Sequence, residues 1–593
     1  MTIPSKIKKL RDQMKAENIH MYIIPMKNRY LNSDLEEPEM RIKYISGFDG
    51  SAGLIFITES KISLFVDGRY TLQAKLEVDT NIFDINELSF QKTLEWIKNN
   101  LKKNSKIGFD PKLHPIHEIE NYTNKLENNF ISFVTIDQNL VDLIRTDFTS
   151  VRAKKYTLSI IDEKYSGLSI SQKLYYLRNK YIKNDNELIF TQDNDVVSWI
   201  SNLRALNKQY TPSILGACIL TKKNCYLLTS NNVTVPSEVN AQYSEIEFLD
   251  ENEFEFLINS KLSETNIAKI DKQNTSVYFS EKFIKKGYEL ISFNDLEREK
   301  SIKNSTELKN IMRSHICDGQ AICNFIYWLK QTDHKKPIDE ISIINQLEQY
   351  RKRSTTDYLG PSFPAIVGFQ ENGATIHYRA TDQSCKKITG GGLLLIDSGG
   401  QYKYGTTDIT RTFLIGNANK EYSRLYTIVL KAHIALASTT FDSNTTGSEL
   451  DKYSREIIES YGYNYNHGTG HGVGYLLSVH EGPLSISPRE SRSGFSENML
   501  FSNEPGIYIE GELGIRIENL MIIRKNTASD NLYKLYFETI SFAPFERNLI
   551  DRDILNENEV DWVNKYHKIV YEKLNKGLDI ETKEWLSKET API

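Results

Sequence analysis

An internal repeat is the feature of this sequence that most constrains its fold. The stretch GLIFITESKISLFVD (53–67) resembles GACILTKKNCYLLTS (216–230), with Gly53 and Gly216 in matching positions. In each stretch two short apolar runs flank a few polar residues, which is the pattern of two paired β-strands. Self-similarity on this scale indicates a duplicated structural unit. The first 300 residues are therefore predicted to hold two copies of one α/β domain.

Short apolar runs alternate with helical segments throughout both copies. The first copy has predicted strands at residues 21–25, 53–58, 62–67, 106–110 and 130–136. In the second copy a predicted helix at 171–182 is followed by predicted strands at 187–191, 216–221, 225–230 and 276–280. Turn residues and helices between short apolar runs are typical of an α/β layer.

The pattern changes near residue 301, where long amphipathic helices (301–331 and 340–352) precede a run of strands. A further helical segment covers residues 560–578. The 593 residues of the chain exceed what one hydrophobic core normally serves. We predict α/β domains at 1–150 and 151–300, a third domain at 301–545 and a helical extension at 546–593.

The composition excludes several functional classes. A net charge of −5 without a basic stripe gives no electrostatic case for nucleic-acid binding. The five cysteines show no CxxC spacing, which argues against a disulfide framework and a structural zinc site. The N-terminus lacks the apolar core of a secretory signal, and no apolar run approaches the ~20 residues of a bilayer span. We expect a cytoplasmic protein that binds neither nucleic acid nor membrane.

Five residues in the C-terminal half have the neighbours expected of metal ligands: Asp397 in LLLIDSGG, Asp408 in GTTDITRT, His471 in HGTGHGVG, Glu504 in SNEPGIY and Glu518 in GIRIENL. Carboxylate oxygens favour hard divalent cations, and one imidazole makes Mn, Fe, Co or Zn acceptable. Two ions require bridging ligands, and carboxylates bridge whereas imidazole does not. A single aspartate after an apolar strand is more often a cap or turn residue, so the five contexts support a two-metal site only together.

These motifs resemble the metallopeptidase family that includes the Xaa-Pro aminopeptidases, prolidase and methionine aminopeptidase. The strongest segments are 396–412, 467–483, 503–508 and 514–519, and the resemblance extends over essentially the whole chain. It is closest to the long, three-domain cytosolic form of the Xaa-Pro aminopeptidases. The resemblance implies an α/β and α+β multidomain protein, with two creatinase-like N-terminal α/β domains followed by a pita-bread catalytic domain, an antiparallel sheet backed by helices. It also implies a homodimer.

The resemblance further implies a reaction and its metal ligands. Asp408 and Glu518 would bridge two divalent metal ions per subunit, expected to be Mn²⁺. Asp397 would complete one metal site, and His471 and Glu504 the other. Glu504 is the expected proton acceptor, because a ligand carboxylate lies beside the attacking water. The implied reaction is hydrolysis of the first bond of peptides with proline second, and the free substrate amine is expected on the Asp397 side.

Three histidines match functional positions of the resembled family. His480 matches the histidine that stabilises the reaction intermediate, and His377 matches the one that lines the proline pocket; both are expected to contact substrate. His467 matches a substrate-side position that supports the site, and a purely structural role is an equal alternative. The remaining helix histidines, among them His433 and His567, receive no predicted role.

Three arginines complete the predicted site. Arg516 and Arg411 are expected to pair with ligand carboxylates and to fix their orientation. Arg69, in the DGRY stretch at the end of the first repeat, matches an arginine that contacts bound peptide from its own or a partner subunit. The second repeat lacks this arginine. The alternative is that Arg69 is a surface residue after a hairpin.

Two other functions use the same fold. A prolidase-type dipeptidase would need the same five ligands, but the duplicated N-terminal blocks and the chain length favour the aminopeptidase. A non-catalytic protein-binding module is the second alternative. Such modules lose their ligands, whereas all five are present here.

Overall fold

The computed structural model describes residues 1–145, 154–332, 338–526 and 534–593. The chain forms two compact units. Unit 1 comprises Met1–Ile161, Leu168–Asn207 and Ser213–Leu296, and unit 2 comprises Asp162–Gly167, Lys208–Pro212 and Glu297–Ile593. Among the described residues, no helix has the length and apolarity needed to cross a membrane.

The first copy of the repeat is a sheet covered by helices. Its strands are β1 (Met21–Pro25), β2 (Gly53–Thr58), β3 (Ile62–Val66), β4 (Asp84–Glu87), β5 (Lys106–Phe109) and β6 (Ser132–Thr135). Its helices are α1 (Ile3–Ala16), α2 (Arg41–Ser46), α3 (Thr71–Glu77), α4 (Phe90–Asn100), α5 (Ile116–Leu126) and α6 (Leu140–Ile144). The strand order is β4-β3-β2-β1-β5-β6, and only the pairs that involve β2 are antiparallel. Strands β1 to β3 are buried along their whole length, because helices cover both faces of the sheet.

The second copy has the same topology. Its strands are β7 (Tyr156–Thr157), β8 (Ser159–Ile160), β9 (Glu187–Thr191), β10 (Leu203–Arg204), β11 (Gly216–Thr221), β12 (Cys225–Thr229), β13 (Val233–Thr234), β14 (Ile246–Asp250), β15 (Ile267–Ile270) and β16 (Glu289–Ser292). Its helices are α8 (Ile170–Tyr181), α9 (Asn194–Ser201), α10 (Ser237–Gln242), α11 (Phe254–Ser260) and α12 (Val277–Lys285). The short α7 (Glu163–Ser166) lies in unit 2, and α13 (Asp295–Ser301) begins in unit 1 and continues in unit 2. The main sheet has the order β14-β12-β11-β9-β15-β16, which repeats the first copy strand for strand. The predicted duplication is confirmed.

One predicted strand is wrong. Residues 276–280 open helix α12 instead of forming a strand. Phe279 and Phe283, one helical turn apart, both face the core, where their rings lie 4.9 and 5.4 Å from that of Phe190. Only three of these five residues, Val277, Tyr278 and Phe279, are apolar or aromatic. So short a run does not distinguish a strand from the start of a helix, because the helical period becomes visible only over the following turn.

Unit 2 holds the remaining helices and strands. The helices are α14 (Ser305–Gln331), α15 (Glu340–Ser354), α16 (Lys420–Ala437), α17 (Gly447–Ser460), α18 (Glu557–Leu574) and α19 (Ile580–Glu589). The strands are β17 (Tyr358–Pro361), β18 (Ile366–Phe369), β19 (Gly392–Ser398), β20 (Gly400–Tyr402), β21 (Gly405–Thr406), β22 (Ile409–Ile415), β23 (Thr440–Phe441), β24 (Gly470–Gly472), β25 (Glu481–Ile486), β26 (Leu500–Asn503), β27 (Gly506–Ile509), β28 (Leu513–Arg516), β29 (Asn519–Asn526) and β30 (Lys534–Thr539). Helix α14 begins at Ser305, later than predicted, because Asn304 and Glu307 form a capping box there.

The strands of the C-terminal half of the chain form antiparallel sheets. The largest has the order β23-β30-β29-β26-β24-β25, and a three-stranded sheet pairs β18, β19 and β22. Helix α16 packs beside the three-stranded sheet through Leu425 and Val429, which share a buried cluster with Leu393 of β19 and Leu414 of β22. Val563 of α18 belongs to the same cluster. The helical extension therefore packs into the core that supports the strands of the predicted site.

Candidate metal centre

The predicted ligands lie on or directly beside strands of unit 2: Asp397 within β19, Asp408 before β22, His471 within β24, Glu504 after β26 and Glu518 before β29. Asp397 pairs in register with Thr410 across β19 and β22. The backbone N–H of Glu518 donates to the Thr410 carbonyl at 3.1 Å, and that of Glu504 donates to the Thr469 carbonyl at 2.8 Å. Backbone pairing thus brings together strand ends that are distant in sequence.

Three of the five side chains form one tight group. Asp408, His471 and Glu518 each place a ligand atom within 4.8 Å of the others. His471 Nε2 lies 3.5 Å from Asp408 Oδ2 and 3.3 Å from Glu504 Oε1. The Nδ1–H of His471 donates to the Gly472 carbonyl at 2.9 Å, which leaves Nε2 as the nitrogen with the lone pair. The imidazole therefore directs a nitrogen that can bind a metal ion toward the carboxylates.

Asp397 is held by a buried arginine. Arg516, 1% exposed, donates from Nη2 to Asp397 Oδ2 at 2.6 Å and from Nη1 to the Tyr508 hydroxyl at 2.7 Å. The hydroxyl of Thr410 donates to Glu518 Oε2 at 2.8 Å. Two of the predicted ligand carboxylates are therefore oriented by neighbouring donors, as is usual around protein metal ions.

The site has an excess of buried negative charge. Burial raises the pKa of Asp408 well above its usual range, and the neighbouring carboxylates raise it further. The pKa of Glu518 is raised for the same two reasons, while Arg516 opposes both shifts. One guanidinium cannot neutralise four carboxylates, whereas two divalent cations would. The charge balance fits the predicted metal pair.

Two buried oxygen atoms also fit this interpretation. Among the described residues, Asp397 Oδ1 and Asp408 Oδ1 have no hydrogen-bond partner. A buried acceptor without a partner is costly, and metal coordination satisfies it. The donor set of carboxylate oxygens and one imidazole nitrogen matches what divalent Mn, Fe, Co or Zn accepts. These residues can therefore hold the two ions that the sequence predicts.

His480 and its neighbour Glu481 lie beside this group. The exposed His480 ring is 4.4 Å from the ring of His471. Glu481 starts β25 and forms ion pairs with Lys300 and Lys303, and all three side chains are at most 3% exposed. A buried carboxylate that pairs with two ammonium groups anchors the segment that carries His480. This anchor has no sequence signal, because its partners lie 181 and 178 residues away along the chain.

His467 joins the site through a chain of hydrogen bonds. Arg516 donates to the hydroxyl of Tyr508, and that hydroxyl lies 2.8 Å from His467 Nε2. His467 Nδ1 lies 2.8 Å from the Gly468 carbonyl. His467 is thus linked to Asp397 through two intermediate side chains. His377 is half-buried, and the carbonyl of the preceding Ile376 is 3.5 Å from Arg516 Nη2.

The two predicted supporting arginines behave differently. Arg516 pairs with the carboxylate of Asp397, a predicted ligand, whereas the hydrogen bonds of Arg411 go to neutral groups. Arg411 donates to the backbone carbonyl of Glu518 at 2.7 Å, to Asn519 Oδ1 at 2.9 Å and to the Tyr566 hydroxyl at 2.8 Å. The expected carboxylate pairing of Arg411 is therefore corrected. Neighbouring strand residues face opposite sides, so Thr410 reaches the carboxylates and Arg411 points behind them.

Arg69 lies in unit 1. Its Nε donates to Asp67 Oδ1 at 2.7 Å, and its guanidinium carbon lies 5.7 Å from the centre of the Tyr70 ring. These contacts within the DGRY stretch do not test whether Arg69 contacts bound peptide, which stays a prediction.

Comparison with protein families covers nearly the whole chain. The model described as "Metallopeptidase family M24" matches residues 309–525, and the one described as "C-terminal region of peptidase_M24" matches residues 534–593. Two models described as "Creatinase/Prolidase N-terminal domain" match residues 6–146 and 151–307. The duplicated blocks therefore have counterparts in known N-terminal domains.

Curated relatives match over their full length. A protein of Laccaria bicolor named "Probable Xaa-Pro aminopeptidase P" is 32% identical, with 99% of this chain and 93% of that protein covered. The "Xaa-Pro aminopeptidase 1" of Dictyostelium discoideum is 31% identical, with 100% of this chain and 97% of that protein covered. Among solved structures, an X-prolyl aminopeptidase from Caenorhabditis elegans, described as a cytosolic enzyme with a di-nuclear active site, has a TM-score of 0.93 at 26% identity and covers 100% of both chains.

Proposed function

The chain belongs to metallopeptidase family M24, and we propose that it is a metalloaminopeptidase that releases the first residue of peptides with proline second. One observation carries the proposal: over its whole length the chain matches relatives named for this activity and a di-nuclear enzyme of the same fold. The cluster of four carboxylates and one imidazole supports it, because a non-catalytic module would have no need of such a site.

Asp408 and Glu518 would bridge the two ions, Asp397 would complete one site, and His471 with Glu504 would complete the other. Mn²⁺ is the metal we propose. When bound, two divalent ions polarise the scissile carbonyl and lower the pKa of the attacking water. The buried oxygens that lack partners among the described residues support the ligand roles of Asp397 and Asp408.

The protein's own side chains supply the rest of the reaction. Glu504 accepts the proton of the attacking water, and the Ser502 hydroxyl, which donates to Glu504 Oε1 at 3.2 Å, orients that carboxylate. His480, exposed beside His471, stabilises the charge that develops on the substrate. His377 lines the proline pocket, and His467 supports the site through Tyr508.

Three finer features belong to the same proposal. Arg69 contacts the bound peptide, from its own or a partner subunit. The enzyme is a homodimer and acts in the cytoplasm. The family resemblance supports the first two features, and the description of the similar Caenorhabditis elegans enzyme as cytosolic supports the third.

A panel of four peptides tests the proposed activity. An Xaa-Pro-Yaa tripeptide should release its first residue, and replacing proline by alanine should lower kcat/KM at least about thirtyfold, or about 2 kcal/mol. The N-acetylated tripeptide should be inert, because it lacks the amine that the Asp397 side is proposed to bind. Faster turnover of the Xaa-Pro dipeptide than of the tripeptide would indicate a prolidase, and equal rates on alanine and proline would indicate a general aminopeptidase.

Two histidine variants separate catalysis from specificity. His480→Ala should lower kcat on the order of 10²-fold with a small change in KM, since His480 acts on the intermediate. His377→Ala should mainly reduce the preference for proline over alanine. Steady-state kinetics on the peptide pair measure both effects, and His117→Ala, at an exposed histidine of unit 1, is the control. The opposite pattern would exchange the two roles.

A further inference from the structure

His433, a histidine without a predicted role, connects the two strand ends that lead to the ligand glutamates. It lies in α16 and is 0% exposed. Its Nδ1 is 3.1 Å from the Asn503 carbonyl, and its Nε2 is 3.1 Å from the Asn519 side-chain nitrogen. Asn503 directly precedes Glu504, and Asn519 directly follows Glu518. One imidazole therefore contacts the neighbours of two predicted ligands.

These contacts occur where the sheet ends. Asn503 and Asn519 are paired in the ladder of β26 and β29, and they occupy its last position. The side-chain amide of Asn503 donates back to the His433 carbonyl at 2.9 Å. Beyond this pair both glutamates leave the ladder. His433 therefore hydrogen-bonds to both residues of the last pair in this ladder, next to the two glutamates.

The Asn519 side chain is held from both sides. Its Nδ2 donates to His433 Nε2, and its Oδ1 accepts from Arg411 Nη2 at 2.9 Å. Arg411 also donates to the Glu518 carbonyl and to the hydroxyl of Tyr566 in α18. All of these groups are buried. These hydrogen bonds tie the Asn519 side chain to α16, to β22 and, through Arg411, to α18, and a buried network of this kind fixes its neighbours.

The chemistry of the imidazole suits this position. Its contacts with Asn503 and Asn519 require one donor, Nδ1–H toward the carbonyl, and one acceptor, Nε2 toward the amide, which only neutral histidine supplies. The Ile517 carbonyl also lies beside the ring. Burial, with the nearby charge of Arg411 as a smaller cause, lowers the pKa of His433 to about 3. The ring therefore stays neutral at physiological pH.

We propose that His433 is a positioning residue of the metal centre, which fixes the carboxylates of Glu504 and Glu518 through Asn503 and Asn519. The inference rests on the proposed function only in taking these glutamates as metal ligands. It makes no claim about peptide specificity.

Two substitutions of His433 each remove one of its two hydrogen bonds and keep the other. His433→Asn places an amide donor near the former Nδ1 and so keeps the Asn503 contact, but it removes the acceptor of the Asn519 amide on the Glu518 side. His433→Gln places an amide oxygen near the former Nε2, keeps the Asn519 contact and releases the Glu504 side. Because Glu518 is proposed to bridge both ions, His433→Asn should have the larger effect on metal binding.

His567→Gln is the matched control. His567 is 0% exposed, and burial lowers its pKa to about 3 as well. Its Nε2 accepts from the backbone N–H of Phe545 at 3.2 Å, away from the residues next to the ligands. Loss of this histidine should reduce stability without changing metal affinity.

The measurement is calorimetric titration of each metal-free, full-length protein with Mn²⁺, alongside its thermal unfolding. We expect His433→Asn to weaken Mn²⁺ binding about tenfold or more, the range seen when groups that orient ligands are removed. A fivefold or larger loss in either His433 variant, with the control unchanged, supports the proposal. Smaller losses in both variants overturn it, as does failure of both to fold while the control folds. A wild-type protein that binds no Mn²⁺ would instead contradict the proposed function.

Discussion

Asp408→Asn is expected to abolish peptide hydrolysis and to remove at least one metal ion. In the folded protein Asp408 Oδ2 faces His471 Nε2 at 3.5 Å, and Oδ1 has no hydrogen-bond partner among the described residues. A neutral amide does not bridge two cations, and its NH₂ group would point a donor at one of them. We expect kcat/KM to fall on the order of 10³-fold or more, which corresponds to about 4 kcal/mol.

Without metal, the effect of Asp408→Asn on the thermal stability of the protein should be small or favourable. The pKa of Asp408 is raised in the folded state, first by burial and then by the neighbouring carboxylates. A carboxyl with a raised folded pKa destabilises the fold once the pH exceeds its unfolded value, because the ionised form is disfavoured. At neutral pH, metal-free Asp408→Asn should therefore unfold at the same temperature as the metal-free wild type or higher. It should also lose the rise in Tm that Mn²⁺ gives the wild type.

Metal content, kinetics and thermal unfolding check this expectation together. Asp382→Asn, at an exposed aspartate of unit 2, is the control that should leave all three unchanged. Two tightly bound ions with near-normal kcat in Asp408→Asn would contradict the bridging role. A metal-free variant much less stable than the metal-free wild type would contradict the electrostatic argument.

The fold was largely predictable because its signals are local or repeated. Gly53 and Gly216 are each the first residue of the first strand of a hairpin, and the surrounding apolar runs are long enough to show which strands pair. The strand predicted at 276–280 failed because the run is short and its helical period lies outside it. Hydrophobic patterns thus identify elements when they extend over a full turn or a full strand.

The support around the site was less predictable, because it depends on contacts between distant parts of the chain. The contact of Thr410 with Glu518 could be expected, since Thr410 lies two residues beyond Asp408 and strand residues two apart share a face. By the same alternation the side chain of Arg411 lies on the opposite face of the strand, away from the carboxylates. His433 is separated from Asn503 by 70 residues and from Asn519 by 86, and its helix has an ordinary amphipathic pattern. No sequence motif next to His433 predicts these contacts.

Glu504→Gln is expected to preserve the fold and to lower kcat by a factor on the order of 10²–10⁴, through the loss of general-base catalysis. Glutamine keeps the size of the side chain and an oxygen for the Ser502 hydroxyl, which donates to Glu504 Oε1 at 3.2 Å in the wild type. The amide cannot accept the proton of the attacking water. The effect should therefore appear in kcat, while KM changes little.

Kinetics at saturating Mn²⁺, with the metal content measured in the same sample, separate the two proposed roles of Glu504. If Glu504 were only a ligand, excess Mn²⁺ would restore kcat as it restores occupancy. A proton acceptor leaves kcat low at full occupancy, and this is the result we expect. Glu497→Gln, at an exposed glutamate of unit 2, is the control. A loss confined to KM would make Glu504 a substrate contact instead, and the proton would then need another acceptor within reach of the same carboxylate cluster.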